Sequence, residues 1–199
     1  MTKESQNSSK NSNLPLDLTF ITNEPEKTLK DRFTQLIKDC KFFDCLVAYF
    51  YLSGFHALYK PLEGSERIRI LVGIGTNRET YDLISTAKDG SFSHHETKQK
   101  IENLVENELA DSDDSLSIEE GIQKFIEWIR SGKIEIRAYP SQKLHAKLYI
   151  MTFKEGDRDI GRVITGSSNF TQSGLQDNLE FNVELKNASD YEFAKQKFE

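Results

Sequence analysis

Two apolar runs, DCLVAYFYL at residues 44–52 and RIRILVGIG at residues 67–75, limit what this chain can fold into. Both are rich in β-branched and aromatic residues and too short for a free helix, so both predict buried strands. Between them lies SGFHALYKPLE, with Ser53 as a candidate helix cap and Pro61 near its end. After them comes TNRETYDLISTAK, with Thr76 as a second candidate cap. Strand, helix, strand, helix in this rhythm predicts an α/β domain with parallel pairing.

The remaining chain extends the pattern. LDLTFIT, residues 16–22, predicts a short first strand. In residues 24–40 the apolar side chains Leu29, Phe33, Leu36, Ile37 and Cys40 recur on one helical face, and Pro25 suits the helix start. Residues 89–116 are polar, with helical spacing around Ile101, Leu104, Val105 and Leu109. SIEEGIQKFIEWIRSGK carries the clearest helix: Ser117 and Glu120 form a capping box, Ile118, Ile122, Phe125, Ile126 and Ile129 line one face, and Gly132 stops it. IEIRAYP, LHAKLYIMTF, RVITGSS and LEFNVELK predict further strands, with KEGDRDIG as a hairpin-type loop. These readings divide the chain into a disordered tail at 1–14, one domain at 15–187, and the start of a following segment or linker at 188–199.

The 199 residues suit one domain able to bury its own core. Net charge is −6, which by itself argues against a nucleic-acid binder, but the charge is unevenly spread. Residues 102–120 hold eight acids and no Lys or Arg, whereas residues 130–147 hold Arg130, Lys133, Arg137, Lys143 and Lys147 against one acid, Glu135. A basic segment inside an acidic chain can build a local anion site. No run approaches the ~20 apolar residues that cross a bilayer, and the N-terminal residues lack the apolar core of a secretory signal. Cys40 and Cys45 have no second Cys/His pair to complete a metal site, so they read as buried thiols of a reduced, cytoplasmic protein. His94 and His95 are adjacent and read as solvent-facing; GIGTN, residues 73–77, reads as a strand-end turn.

The chemistry is concentrated near the C-terminus. On a strand, LHAKLYI places Leu144, Ala146, Leu148 and Ile150 on one face, expected to be core. His145, Lys147 and Tyr149 share the other face, with the first two about 7 Å apart along the strand by the ~3.3 Å rise per residue. TGSSN follows, where Ser167 and Asn169 share a side and Gly166 lets the backbone come close. A neutral imidazole is a nucleophile near neutral pH. An ammonium with hydroxyl and amide donors can hold phosphate oxygens as charge develops. Glu180 and Glu184 lie on one face of LEFNVELK together with Asn182.

HAK, then GSSNFTQSGL, then NLE resembles the phospholipase D-type phosphodiesterase half-site, histidine-x-lysine followed by a glycine-serine-x-asparagine turn. The stretch from Phe42 to Ile74 is similar to the start of the version of this domain attached to bacterial restriction enzymes and to Swi/Snf-type helicases. The resemblance implies a mixed, largely parallel sheet flanked by helices on both faces. It implies His145 as the nucleophile that forms a phosphohistidine, Lys147 as the phosphate-binding cation, Ser167 and Asn169 as the rest of the phosphate pocket, and Glu180 as the acid that orients the histidine. One position departs: the motif's aspartate, five residues after the lysine, is Thr152. With one motif in the chain, the two-histidine chemistry implies a homodimer whose two His145 side chains face each other across a two-fold axis. No metal or cofactor is implied. Three functions follow: a nuclease acting on DNA, a DNA-binding module feeding a helicase elsewhere in a longer chain, and, least favoured, a lipid phosphodiesterase.

Overall fold

A computed structural model describes residues 19–25, 27–73, 78–89, 115–139, 144–156 and 159–199. The expected N-terminal tail, the Thr76 cap, the His94–His95 pair, the helix around Leu104 and the side chain of Ser117 lie outside the described residues.

Seven strands form one sheet: β1 (Phe20–Ile21), β2 (Cys40–Val47), β3 (Arg67–Val72), β4 (Ile134–Ala138), β5 (Lys147–Phe153), β6 (Gly161–Gly166) and β7 (Asn182–Leu185). Their order is β1-β7-β6-β5-β2-β3-β4. The sheet is mixed, but parallel pairing is confined to β2–β3 and β3–β4. The other four pairings are antiparallel, which corrects the expectation of a largely parallel sheet. For β5 and β6 the reason is topological: a short connection joins them, and such connections join antiparallel neighbours.

Helices α1 (Leu29–Ile37), α2 (Leu52–Leu62), α3 (Arg78–Asp89) and α4 (Ser115–Arg130) precede the last three strands, and α5 (Ala188–Phe198) closes the described chain. α1 begins where Thr28 accepts the Asp31 N–H, and it buries Leu29, Phe33, Leu36 and Ile37. α2 begins one residue before the expected Ser53 cap, after Tyr51, which makes no side-chain cap. Its start is set by tertiary contact: Phe50 bridges Phe170, and the Tyr51 N–H donates to the Phe170 carbonyl at 3.1 Å. None of the helices among the described residues is long and apolar enough to cross a membrane.

The larger core is strongly aromatic. Phe33, Phe43, Phe50, Phe55, Phe125, Tyr149 and Phe170 are all at most 1% exposed, and Phe50 stacks on Phe170 with ring centroids 5.3 Å apart. Each such ring stabilises the fold by roughly 1.5–3 kcal/mol through removal from water. A smaller cluster of Ile150, Val163, Tyr191 and Ala194, with Leu148 and Leu185 beside it, packs α5 against the other face. Residues 188–199, expected to begin a linker or following segment, are therefore a helix docked on the sheet. Both faces of β5 are core, and the expected Leu148–Ile150 face is the smaller of the two. Tyr149 and Met151 point into the larger core, while Leu148 and Ile150 meet α5. Regular pairing starts at Lys147, so Leu144 and Ala146 lie before the strand, and Ala146 is exposed.

Two carboxylates are buried within this frame. Asp44 on β2 takes Arg69 Nε and Nη2, at 2.6 and 2.8 Å, and the Lys195 ammonium from α5. Glu184 on β7 takes Arg32 from α1 at 2.6 and 2.8 Å and Arg162 from β6 at 3.1 Å. Each satisfies its charge with cations from separate elements, so each ties those elements together.

Candidate active site

Four strand ends meet at one end of the sheet. Val47 pairs with Lys147, Leu148 with Thr165, and Gly166 with Asn182. The chain ends of β2 and β6 and the starts of β5 and β7 are thus neighbours. The Thr165 hydroxyl adds a bond to the Lys147 carbonyl at 2.9 Å.

His145 stands just before β5 and is exposed; Lys147 is half-buried at its first position. The Lys147 ammonium lies 3.3 Å from His145 Nδ1 and donates to the His145 carbonyl at 3.1 Å. An ammonium can only donate, so Nδ1 is the accepting nitrogen here and the neutral ring carries its hydrogen on Nε2. The two side chains form one unit in which the lysine fixes the ring's tautomer.

The turn after β6 is held from several sides. Gly166 sits so close to β7 that a Cβ would meet the Asn182 Cα at 2.6 Å, so only glycine fits without shifting backbone. The Ser167 N–H donates to the Phe181 carbonyl at 3.2 Å, and its hydroxyl accepts the Phe181 N–H at 2.9 Å. That hydroxyl donates in turn to the Glu180 carboxylate. Ser168 is fully buried and bonded to Asn182 twice, N–H to Oδ1 at 3.3 Å and Oγ from Nδ2 at 2.9 Å. Tyr149 donates to the Ser168 carbonyl at 2.8 Å. Burial, before the charges of Cys45 and Glu180, pushes the Tyr149 phenol well above its ordinary range, so it remains a neutral donor. Asn169 Oδ1 accepts the Tyr49 N–H at 3.2 Å, which fixes the amide so that its other end, Nδ2, is a donor.

The residues picked from sequence are therefore brought together in pairs. His145 meets Lys147, Ser167 meets Glu180, and Asn169 meets the end of β2. Glu180, expected to orient His145, holds the Ser167 hydroxyl. Thr152 lies five residues beyond Lys147, on the opposite face and roughly 16 Å along the strand at ~3.3 Å per residue. There its hydroxyl bonds the Tyr191 hydroxyl at 2.7 Å, so the missing aspartate falls outside the turn.

Sequence reasoning missed the supports. Ser168 and Asn182 gave a signal, a second serine in the turn and a polar residue alternating within an apolar strand. The π-helical turn at Ser173–Asp177 gave none. It is clamped by Asn23, whose Nδ2 donates to the Gly174 and Asn178 carbonyls at 3.0 Å each while its Oδ1 caps Leu29 N at 2.8 Å. Asn23 adopts φ 58°, a left-handed conformation that asparagine tolerates. Cys40 and Cys45 are buried, and desolvation, with Asp44 second, pushes the Cys40 thiol up to about 12 and the Cys45 thiol well above its usual value. Neither is a nucleophile at neutral pH. Among the described residues no three His, Cys, Asp or Glu side chains cluster as metal ligands.

Residues 33–199 match the family model described as cardiolipin synthase, PLD-like domain. No curated protein matches. Among solved structures, yeast tyrosyl-DNA phosphodiesterase is similar at 15% identity and a TM-score of 0.47, over 84% of this chain and 31% of that one. This chain thus spans about a third of the yeast protein's length. NucT from Helicobacter pylori is similar at 8% identity and a TM-score of 0.46, over 85% of this chain and 84% of that one. Nuc from Salmonella typhimurium, a phospholipase D family member, is similar at 18% identity and a TM-score of 0.45, over 89% and 86%. The family match runs over most of the chain, including the sheet end just described, and the chain belongs to the PLD-like domain family.

Proposed function

We propose that this domain is a phosphodiesterase that cuts DNA through a phosphohistidine at His145. The observation that carries the reading is the His145–Lys147 unit, with Lys147 Nζ 3.3 Å from the ring, at the sheet end where Thr165, just before the turn, bonds the Lys147 carbonyl. A phosphodiester entering there draws the Lys147 ammonium onto a non-bridging oxygen, with Asn169 Nδ2 and the Ser167 hydroxyl as further donors. Loss of the lysine contact frees Nδ1. The ring then moves its hydrogen to Nδ1, where a carboxylate can accept it, and Nε2 becomes the nucleophile. Glu180 is the acid for that role, once phosphate has replaced it as partner of the Ser167 hydroxyl.

In the first step Nε2 forms a bond to phosphorus and the bond to the leaving oxygen breaks. The departing oxygen takes a proton from a second imidazole. Water then attacks phosphorus, gives a proton back to that imidazole, and releases His145. A second copy of this chain supplies the second imidazole, so the active form is a homodimer with its two His145 rings facing each other. No step calls for a metal or a cofactor. The likeness of residues 42–74 to restriction- and helicase-attached domains sets the proposed context, as part of a DNA helicase or restriction protein in the cytoplasm.

The test is DNA cleavage in excess chelator by wild type and His145→Ala. Cleavage by wild type and its loss in the variant supports the proposal; robust cleavage by the variant contradicts it. A second reading is favoured by one observation, that the Glu180 carboxylate holds Ser167. If Glu180 stays there, the ring lacks its orienting acid, and the domain is a DNA-binding module of a helicase. Salt-sensitive DNA binding with no turnover selects that reading.

A further inference from the structure

Next to the polar turn lies a hollow that extends beyond the groups the phosphate chemistry uses. It measures about 240 Å³, and Tyr49, Tyr51, Thr171, Ser173 and Asn178 line it together with Asn169 and Glu180 of the site. Tyr49 is 42% exposed, so its ring is open to a ligand. Its backbone is nevertheless fixed, since its N–H is held by Asn169, and Tyr51 is fixed through Phe170. The rest of the lining is equally firm. The Thr171 hydroxyl accepts the Gly174 N–H at 3.0 Å and lies 3.3 Å from the Ser173 hydroxyl. Asn23 holds the Gly174 and Asn178 carbonyls from behind. This is a preformed concavity lined by two tyrosines together with hydroxyl, amide and carboxylate groups.

We infer that the hollow seats one unpaired nucleotide, base and sugar, beside the phosphodiester bound at Lys147, and that the preferred substrate is therefore single-stranded. Charge separates the two positions. The residues lining the hollow include no Lys or Arg to hold a phosphate, whereas the Lys147 ammonium attracts one. The charged group of a nucleotide thus goes to the lysine and its neutral part to the hollow. Every base presents a flat π-face, so stacking on Tyr49 tolerates any sequence. A duplex keeps its bases stacked inside the helix, and offering one to Tyr49 costs unpairing. The inference rests on the nucleic-acid part of the reading above, and binding is measured separately from cleavage so that either can fail alone.

The test uses the full chain and two single strands of equal length by fluorescence anisotropy, one of oligothymidylate and one of abasic residues with the same phosphates. Wild type is expected to bind the base-bearing strand roughly tenfold more tightly than the abasic one, the usual scale for loss of one aromatic–base stack. In Tyr49→Ala that ratio falls towards one, and in Tyr49→Phe it is kept, which separates ring stacking from a folding defect. Equal binding of the two strands by wild type overturns the inference, as does a ratio unchanged in Tyr49→Ala, tighter binding of duplex than of single strand, or no binding of either strand. A preserved ratio without any cleavage keeps the hollow and removes the phosphodiesterase reading instead.

Discussion

Asp44 and His145 are both polar residues set among apolar strand neighbours, in FFDCLV and LHAKLYI, and the fold treats them in opposite ways. Asp44 sits mid-strand with 0% exposure, and Arg69 and Lys195 satisfy its charge. His145 stands at the sheet end, open to solvent, with the adjacent lysine against its ring. A carboxylate saturated by cations inside the protein has nothing left to offer a substrate. An imidazole held by one movable ammonium can exchange that partner for a phosphate. Position along the strand, at its middle or at its end, separates the structural polar group from the chemical one.

The comparison is broken most sharply by removing each residue in turn. His145→Ala is expected to lower the DNA cleavage rate at least about a thousandfold, the scale for loss of a nucleophile. Because the ring is exposed, the same change should alter unfolding free energy by no more than about 0.5 kcal/mol. Asp44→Asn should do the reverse, destabilising the domain by about 3 kcal/mol in denaturant titration, because Arg69 and Lys195 keep buried charge without its counter-ion. Its cleavage rate per folded molecule should be unchanged. A large loss of activity with intact stability in Asp44→Asn would erase the distinction.

Alkaline pH sharpens the structural half. The Cys40 thiol is pushed up to about 12 in the folded protein, against about 8.5 for an exposed thiol. The folded state therefore holds this proton more tightly than the unfolded one. The stability linked to it is intact below about pH 8.5 and is lost as pH rises towards 12. Cys40→Ala should reduce the alkaline slope of unfolding free energy by up to about 1.4 kcal/mol per pH unit. Urea titrations at several pH values give the slope directly, and an unchanged slope refutes the assignment.

The smallest effect concerns Thr152. Tyr191→Phe removes its hydroxyl partner and should cost about 1 kcal/mol of stability, with cleavage within about twofold of wild type. A larger loss of cleavage would bring the Thr152 position into the site after all.

Much of this was legible in the residues. The apolar stripe of α1, the strand runs and the pairing of HAK with GSSN all follow from local periodicity and side-chain chemistry, which the sequence carries directly. The strand order did not follow. Cys45 faces Tyr149 across an antiparallel pair although the two are far apart in the chain, and no local signal encodes that choice. The larger core lay on the Tyr149 face because four helices gather there, whereas Leu148 and Ile150 await α5, which the sequence reading had set outside the domain. At the candidate site, the reactive groups were readable and their supports were not. Ser168–Asn182 and Asn23–Gly174 are bonds between segments, visible only once the sheet has brought them together.

The central claim is a covalent bond between His145 and phosphorus, and the most direct measurement is its capture. Labelled DNA mixed with the protein and quenched in alkaline denaturant, where a phosphohistidine bond survives, should leave label on the peptide containing His145. The account predicts that adduct in wild type and its absence in His145→Ala; label on any other residue, or cleavage without label on protein, would contradict it.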